Sequence, residues 1–275
     1  MAALLALASA LSFGISDVTG GLAARRASAI TVTLVAQLVG LVVLLPALVF
    51  LPGEPSVAAL GIGAVAGVGG SGGLILYLRG LAIGPMGVVS PLAALVGAAV
   101  PVGWGVLLAG ERVTTLDVFG IVAGLVAVVL VAVRPRQLAE VHTASTVLSL
   151  LAGASFGGFF VALDATPPTS GLWPLLGARL GGAVLLAVVL LVARRRLPDR
   201  ATAPLVIASG MTDMAANVLF LLATRTGALS LTALLTSLYP VAVVLLARRL
   251  TDERLSRLQI SGVVLALVAS ALVAL

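Results

Sequence analysis

The sequence predicts an all-α membrane protein of about ten transmembrane helices in two inverted five-helix repeats, and three observations lead there. Hydrophobic residues make up 61% of the chain and charged residues 9%, with a mean hydropathy of +1.25. A soluble domain carries about a quarter of its residues charged, so this chain has too few charges to cover a water-facing surface. Apolar runs of about 20 residues, bounded by arginine clusters or Gly/Pro/Ser turns, recur from end to end, as bilayer spans do. The two halves of the chain also repeat each other. A membrane β-barrel would alternate apolar and polar residues, and runs such as Ala183 to Val192 do not.

The first span is expected from about Ala2 to Leu22, with Asp17 inside it and Arg25-Arg26 after it. Its start lacks the basic n-region of a signal peptide. The second, about Ile30 to Leu51, holds Gln37 and Pro46 and stops at Pro52-Gly53-Glu54-Pro55-Ser56. The third, about Val57 to Tyr77, is glycine-rich and ends at Arg79; its Gly63/Gly67 and Gly69/Gly73 spacings suit close helix packing. The fourth, about Gly87 to Leu108, contains Pro91, Pro101 and Trp104 and meets Glu111-Arg112. The fifth runs from about Thr115 to Val133 and ends at Arg134-Pro135-Arg136.

A polar connector over residues 137–144 divides a first repeat, residues 1–136, from a second, residues 145–275. The sixth span, about Ser145 to Ala165, closes at Thr166-Pro167-Pro168 with Asp164 beside the turn. The seventh, about Leu172 to Ala193, carries Arg179 inside and Arg194-Arg195-Arg196 and Arg200 behind it. The eighth, about Ala203 to Thr224, contains Asp213 and Asn217. The ninth lies within Leu229 to Arg254, with Tyr239-Pro240 near its middle and a charged stop after it. The tenth runs from about Leu258 to the C-terminus. Proline in a helix interior removes an amide donor, so Pro91, Pro101 and Pro240 are expected helix breaks; at Pro240 the carbonyl of Thr236 loses its partner. At membrane depth such a carbonyl is tolerated where it is buried in protein or lines a cavity.

Four ordered matches support the duplication. Ser12-Phe13-Gly14 recurs as Ser155-Phe156-Gly157 (155 − 12 = 143), and Ala36-Gln37-Leu38 as Ala178-Arg179-Leu180 (178 − 36 = 142). Tyr77 and Gly84 correspond to Phe220 and Gly227 at 143, and Glu111-Arg112 to Glu253-Arg254 at 142. A repeat with five spans, an odd number, re-enters the bilayer in the opposite sense, which is the inverted-repeat plan with a binding site near the midplane. All basic residues are arginines. The breaks after spans one, three, five, seven and nine hold Arg25, Arg26, Arg79, Arg134, Arg136, Arg194, Arg195, Arg196, Arg200, Arg248, Arg249, Arg254 and Arg257, whereas the other breaks hold Arg112 and Arg225. The positive-inside rule makes the first set cytoplasmic and puts both termini outside. The expected location is the inner (plasma) membrane of a bacterium.

The second half resembles the EamA-like branch of the drug/metabolite transporter superfamily, through Leu231, Ala233, Leu234, Ser237-Leu238-Tyr239-Pro240, Leu245-Leu246-Ala247, Glu253-Arg254-Leu255, Gln259 and Gly262. The first half carries Ser90-Pro91-Leu92, Leu95, Pro101, Gly110-Glu111-Arg112 and Gly120. It departs from the pattern in two places: the proline matching Pro240 would fall at Ala98, and Gln37 stands where the family often has the arginine seen at Arg179. The resemblance implies a ten-span transporter of metabolites such as amino acids, nucleobases or sugars.

Charges within spans cost roughly 2.5 to 3.5 kcal/mol on insertion scales and usually face a bundle interior. Arg179 and Asp213 are therefore the leading site candidates. One reading makes Arg179 an anchor for a substrate carboxylate and Asp213 a proton- or cation-responsive group; the other pairs them with each other to hold two helices. Asn217 shares a helical face with Asp213. Gln37, Tyr77, Trp104, Thr236, Ser237 and Tyr239 complete the candidate substrate-binding set, although Trp and Tyr also serve as interfacial anchors. Asp17 and Asp164 are read blandly, the first meeting Arg25 or Arg26 and the second capping its turn. Glu111-Arg112 and Glu253-Arg254 are read as capping or pairing at helix starts, a structural role.

The chain has no cysteine, and its one histidine, His142, lies in the connector. Thiolate metal sites and a Ser-His-Asp triad are thereby excluded, and no metal or cofactor is expected. There is no nucleotide-binding phosphate loop and no aromatic-interleaved basic patch for nucleic acid. The expected function is secondary transport of small polar or amphipathic metabolites, with a multidrug exporter or lipid-carrier translocase as the alternative and a membrane enzyme as a distant one. The expected partners are a small-molecule substrate and membrane lipids, with the chain acting as a monomer or homodimer.

Overall fold

A computed structural model describes residues 1–51, 53–83, 86–132, 143–193, 199–251 and 256–274. All regular structure among these residues is helical. The helices are α1 (Ala2–Ala24), α2 (Ala29–Phe50), α3 (Val57–Ile83), α4 (Met86–Gly103), α5 (Thr115–Ala132), α6 (Thr143–Asp164), α7 (Trp173–Ala193), α8 (Ala203–Thr224), α9 (Leu229–Thr236), α10 (Tyr239–Thr251) and α11 (Arg257–Ala274). Helices α1, α2, α3, α6, α7 and α8 are long and apolar enough to cross a membrane, and shorter apolar stretches lie in α4, α5, α9–α10 and α11. Connector residues 137–142, with Arg134, Arg136 and His142, lie outside the described residues, as do Glu253 and Arg254; Thr143 and Ala144 already belong to α6.

The ninth span divides where the proline argument places the division. α9 ends at Thr236, Ser237 and Leu238 form a turn, and α10 starts at Tyr239. Pro240 then sits in the first turn of a new helix, where its missing amide costs nothing. The fourth span requires a correction, because α4 passes through both Pro91 and Pro101 without a break. A proline deletes one bond of the ladder, and a helix held by neighbours bends at such a point without having to end. α4 packs against α5, α6 and α9. It changes only after Gly103, where Trp104–Leu108 widen into a π turn.

The loops fall at two ends of the bundle. At one end, the Glu54 amide donates to the Thr169 carbonyl at 2.9 Å and Trp173 Nε1 to the Gly53 carbonyl at 3.4 Å. Also here, Arg225 donates to the Asp164 and Thr166 carbonyls at 3.2 and 2.8 Å and to Thr166 Oγ1 at 2.6 Å. Asp164 thus lies beside its turn, but it is Arg225 that ties the turn down. Gly110, at φ +69°, turns the chain so that Glu111 reaches the start of α9. The Leu229 and Ser230 amides donate to its two carboxylate oxygens at 2.6 and 3.0 Å. These are two of the amides a helix start leaves unpaired, and Ala228 before them has no side chain that can cap.

At the other end, the Thr202 hydroxyl and amide donate to Asp199. Those two bonds, with Arg26 nearby, hold the Asp199 carboxyl below its usual range. The break after α1 and the break before α8 therefore share an end, opposite the end where α2, α6 and α8 finish. Helix α1 accordingly runs one way and its counterpart α6 the other.

The packing repeats this inversion. α1 lies on α8 as α3 lies on α6, α2 lies on α8 as α7 lies on α3, and the matched pairs α2–α7 and α5–α11 touch each other. A side chain at Gly120 would meet Val273, and one at Gly262 would meet Val131; each pair is offset by 142 residues (262 − 120 and 273 − 131). Glycines set the closest approaches. Gly63 and Gly67 lie against the Pro174 and Ala178 carbonyls, and Gly177 and Gly181 lie reciprocally against Leu60 and Ala64. Helices in lipid gain their packing energy from such close contacts between small residues.

Candidate functional site

The centre of the bundle is polar, and the repeat explains its layout. Arg179 on α7 donates through Nη1 to Gln37 Oε1 on α2 at 2.7 Å and through Nη2 to Asp213 Oδ2 on α8 at 2.5 Å. Gln37 in turn donates through Nε2 to Ser71 on α3 at 3.2 Å. Gln37 and Arg179 are repeat counterparts, so their contact lies on the pseudo-twofold axis. Each also reaches a partner 34 residues further on: Ser71 in the first half, Asp213 in the second. A neutral bond in one repeat corresponds to a salt bridge in the other. At the offset that matches Gln37 to Arg179, Ser71 stands where Asp213 does (213 − 71 = 142), a hydroxyl in place of a carboxylate.

The salt bridge is the only one among the described residues. The Arg179 side chain is 10% exposed and that of Asp213 30%. Both sit well inside their spans, and Asp213 is the eleventh residue of the 22 in α8. The pairing offered above as an alternative to a substrate anchor is therefore present. Asn217, one turn along, donates through Nδ2 to the Asp213 carbonyl at 2.8 Å and lies 3.4 Å from Oδ2. Its own Oδ1 is buried and has no partner.

Aromatic rings pack against one another across α1, α3, α6, α8 and α10. Phe13 packs edge-on to Phe160 at 6.3 Å and against Tyr239 at 6.4 Å, Tyr77 meets Phe156 at 6.3 Å, and Phe160 lies 4.3 Å from Phe220. Tyr239 and Tyr77 thus reach the interior. Thr236 and Ser237 are buried at the break between α9 and α10, with Thr236 Oγ1 3.5 Å from the Ala6 carbonyl. Trp104 is not brought to the cluster: it is 44% exposed on the π turn, where an interfacial anchor stands.

Asp17 is the residue that the bland reading misses. It forms no salt bridge with Arg25 or Arg26 and acts electrostatically on Asp213 and Tyr239. The signal was in the spacing. Ala6, Ala10, Phe13 and Asp17 follow one another at three- and four-residue intervals on one face of α1, opposite exposed Leu4 and Leu11.

An apolar groove between α3 and α7, lined by Val68, Leu180, Gly181, Val184, Leu185 and Val188, opens on the outside of the bundle. It lies apart from the polar cluster. No group of three or more His, Asp or Glu residues that could hold a metal occurs among the described residues.

Fold and site together define a helical membrane protein built as two inverted repeats around a polar centre. Residues 1–133 and again residues 144–275 match the model of the EamA-like transporter family, and the chain belongs to that family, within the drug/metabolite transporter superfamily. Among solved structures, the chain is similar to one described only as "Crystal structure of protein". The two share 19% identity over 98% of this chain and 95% of the other, with a TM-score of 0.79, which shows the same fold. None of the curated proteins matches.

Proposed function

We propose that the protein is a secondary transporter of small polar or amphipathic metabolites, working by alternating access at the interface of its two repeats. The observation that carries this reading is the Gln37–Arg179–Asp213 chain of bonds on the pseudo-twofold axis. Membrane-embedded ionisable residues mark pathways and relays, and these link helices of both repeats, which rock against each other in that mechanism. Asp213 keeps enough exposure to exchange its partner.

The test is uptake of a metabolite panel into proteoliposomes, with and without a pH gradient; absence of flux for every solute removes the reading. Asp213→Asn is expected to abolish the stimulation of transport by a pH gradient while the protein stays folded. Stimulation by the gradient that persists in this variant excludes Asp213 from coupling.

The orientation proposed with this function places the arginine-rich end, marked by Arg25, Arg26 and Arg200, in the cytoplasm. A green fluorescent protein fused to the C-terminus should then stay dark, and a fluorescent fusion reverses the orientation.

A further inference from the structure

The central cluster is unbalanced in charge. It holds two carboxyl groups, Asp17 and Asp213, for one cation, Arg179, which Asp213 already takes at 2.5 Å. Asp17 has no hydrogen bond or salt bridge among the described residues. It is nonetheless on the inward face of α1. Buried Ser16 beside it bonds to the Ser209 carbonyl of α8 at 3.0 Å, and buried Gly14 abuts Ala242 of α10. Asp17 shares its face with buried Ala6 and Ala10 yet keeps exposed surface of its own, so it borders a space open between the helices.

The walls of that space are aromatic. Phe13 is one helical turn from Asp17, with Tyr239 at 6.4 Å and Phe160 at 6.3 Å from its ring. The other groups bearing on Asp17 are Asp213 from α8 and Tyr239 from α10, with Tyr77 from α3 beside Tyr239 and Arg179 from α7 beyond Asp213. α9 and α11 bring no ionisable side chain to it among the described residues. The second unpartnered atom of the cluster, Asn217 Oδ1, is also an acceptor. What the site lacks is a cationic donor with an apolar body. An ammonium group satisfies a free carboxylate, and ring faces attract cations.

We propose that Asp17 is the binding site for the ammonium group of an amine-bearing substrate whose apolar part lies against Phe13, Phe160 and Tyr239. This deepens the transporter reading and rests on it only for the claim that the bound amine is carried.

The full chain in lipid nanodiscs is titrated calorimetrically with phenethylamine, 3-phenylpropionate and 3-phenylpropanol, three probes that share a ring and differ in charge. Phenethylamine alone is expected to bind well. Asp17→Asn is expected to weaken it at least about tenfold, the loss that follows removal of a charge-assisted bond, and Asp17→Glu to restore most of the affinity. Equal binding of the three probes, preference for the carboxylate, or an unchanged affinity in Asp17→Asn overturns the assignment. If Asp17→Asn does not fold, the unmodified protein still decides: affinity for phenethylamine should fall as acid protonates the carboxylate, and affinity indifferent to pH overturns the site. Proteoliposome flux separates the two readings. Amine that binds but never crosses leaves the site standing and removes transport, and flux of other solutes without amine binding removes the site alone.

Discussion

Arg179→Gln is expected to lower the unfolding stability of the protein by about 3 kcal/mol, the low end of the range for removing one partner of a buried ion pair. The low end applies because the Asp213 side chain is 30% exposed and water can partly resolvate its carboxylate. Glutamine keeps a donor for Gln37 but cannot neutralise Asp213, so the loss should come from the stranded charge more than from the missing bond to α2. The double variant Arg179→Gln/Asp213→Asn should recover most of that stability, since neither member of the pair is then left as a stranded charge. Thermal unfolding of the purified variants in one detergent gives the coupling energy. If the single variant keeps its stability and loses only substrate affinity, Arg179 is a substrate anchor and its bond to Asp213 is incidental.

That double-sided reading of Arg179 was legible in the sequence, because a charge inside an apolar span is conspicuous without any knowledge of the fold. The spans, the offset of 142 to 143 residues and the sorting of arginines by loop are also local or periodic signals, and the matched contacts of Gly120 and Gly262 agree with the offset. Features set by distant contacts were not legible. Glu111 was readable as a cap, but its helix starts 118 residues away at Leu229. The π turn at Trp104–Leu108 and the continuity of α4 through Pro91 and Pro101 depend on what α4 packs against. Asp17 was misread for a different reason. Nearness to Arg25 and Arg26 along the chain suggested a pair, whereas the helix period sets it on the same face as buried Ala6 and Ala10.

Gly67→Leu is expected to abolish accumulation of folded protein, while Gly69→Leu, two residues away, should change stability by no more than about 0.5 kcal/mol. The two positions share a helix and a composition but not an environment. Any Cβ at Gly67 overlaps the Ala178 carbonyl, a backbone atom that cannot swing aside, whereas a Cβ at Gly69 meets nothing within 4 Å and faces outward. Overpacking of a close-packed interior costs about 1 to 3 kcal/mol even where side chains can adjust. Here α7 itself must retreat, and Gly181 against Ala64 and Gly177 against Leu60 lose their fit with it. The effect extends to the polar centre, because Arg179 follows Ala178 directly in α7. Gly67→Ala, the smallest change that still adds a Cβ, should therefore displace Arg179 from Gln37 and Asp213 and perturb ligand affinity as well as melting temperature. The yield of monodisperse protein by size-exclusion chromatography checks the leucine pair, and calorimetric titration with phenethylamine checks the alanine variant. A Gly67→Ala protein with unaltered melting and unaltered affinity would mean that the α3–α7 contact does not set the position of Arg179.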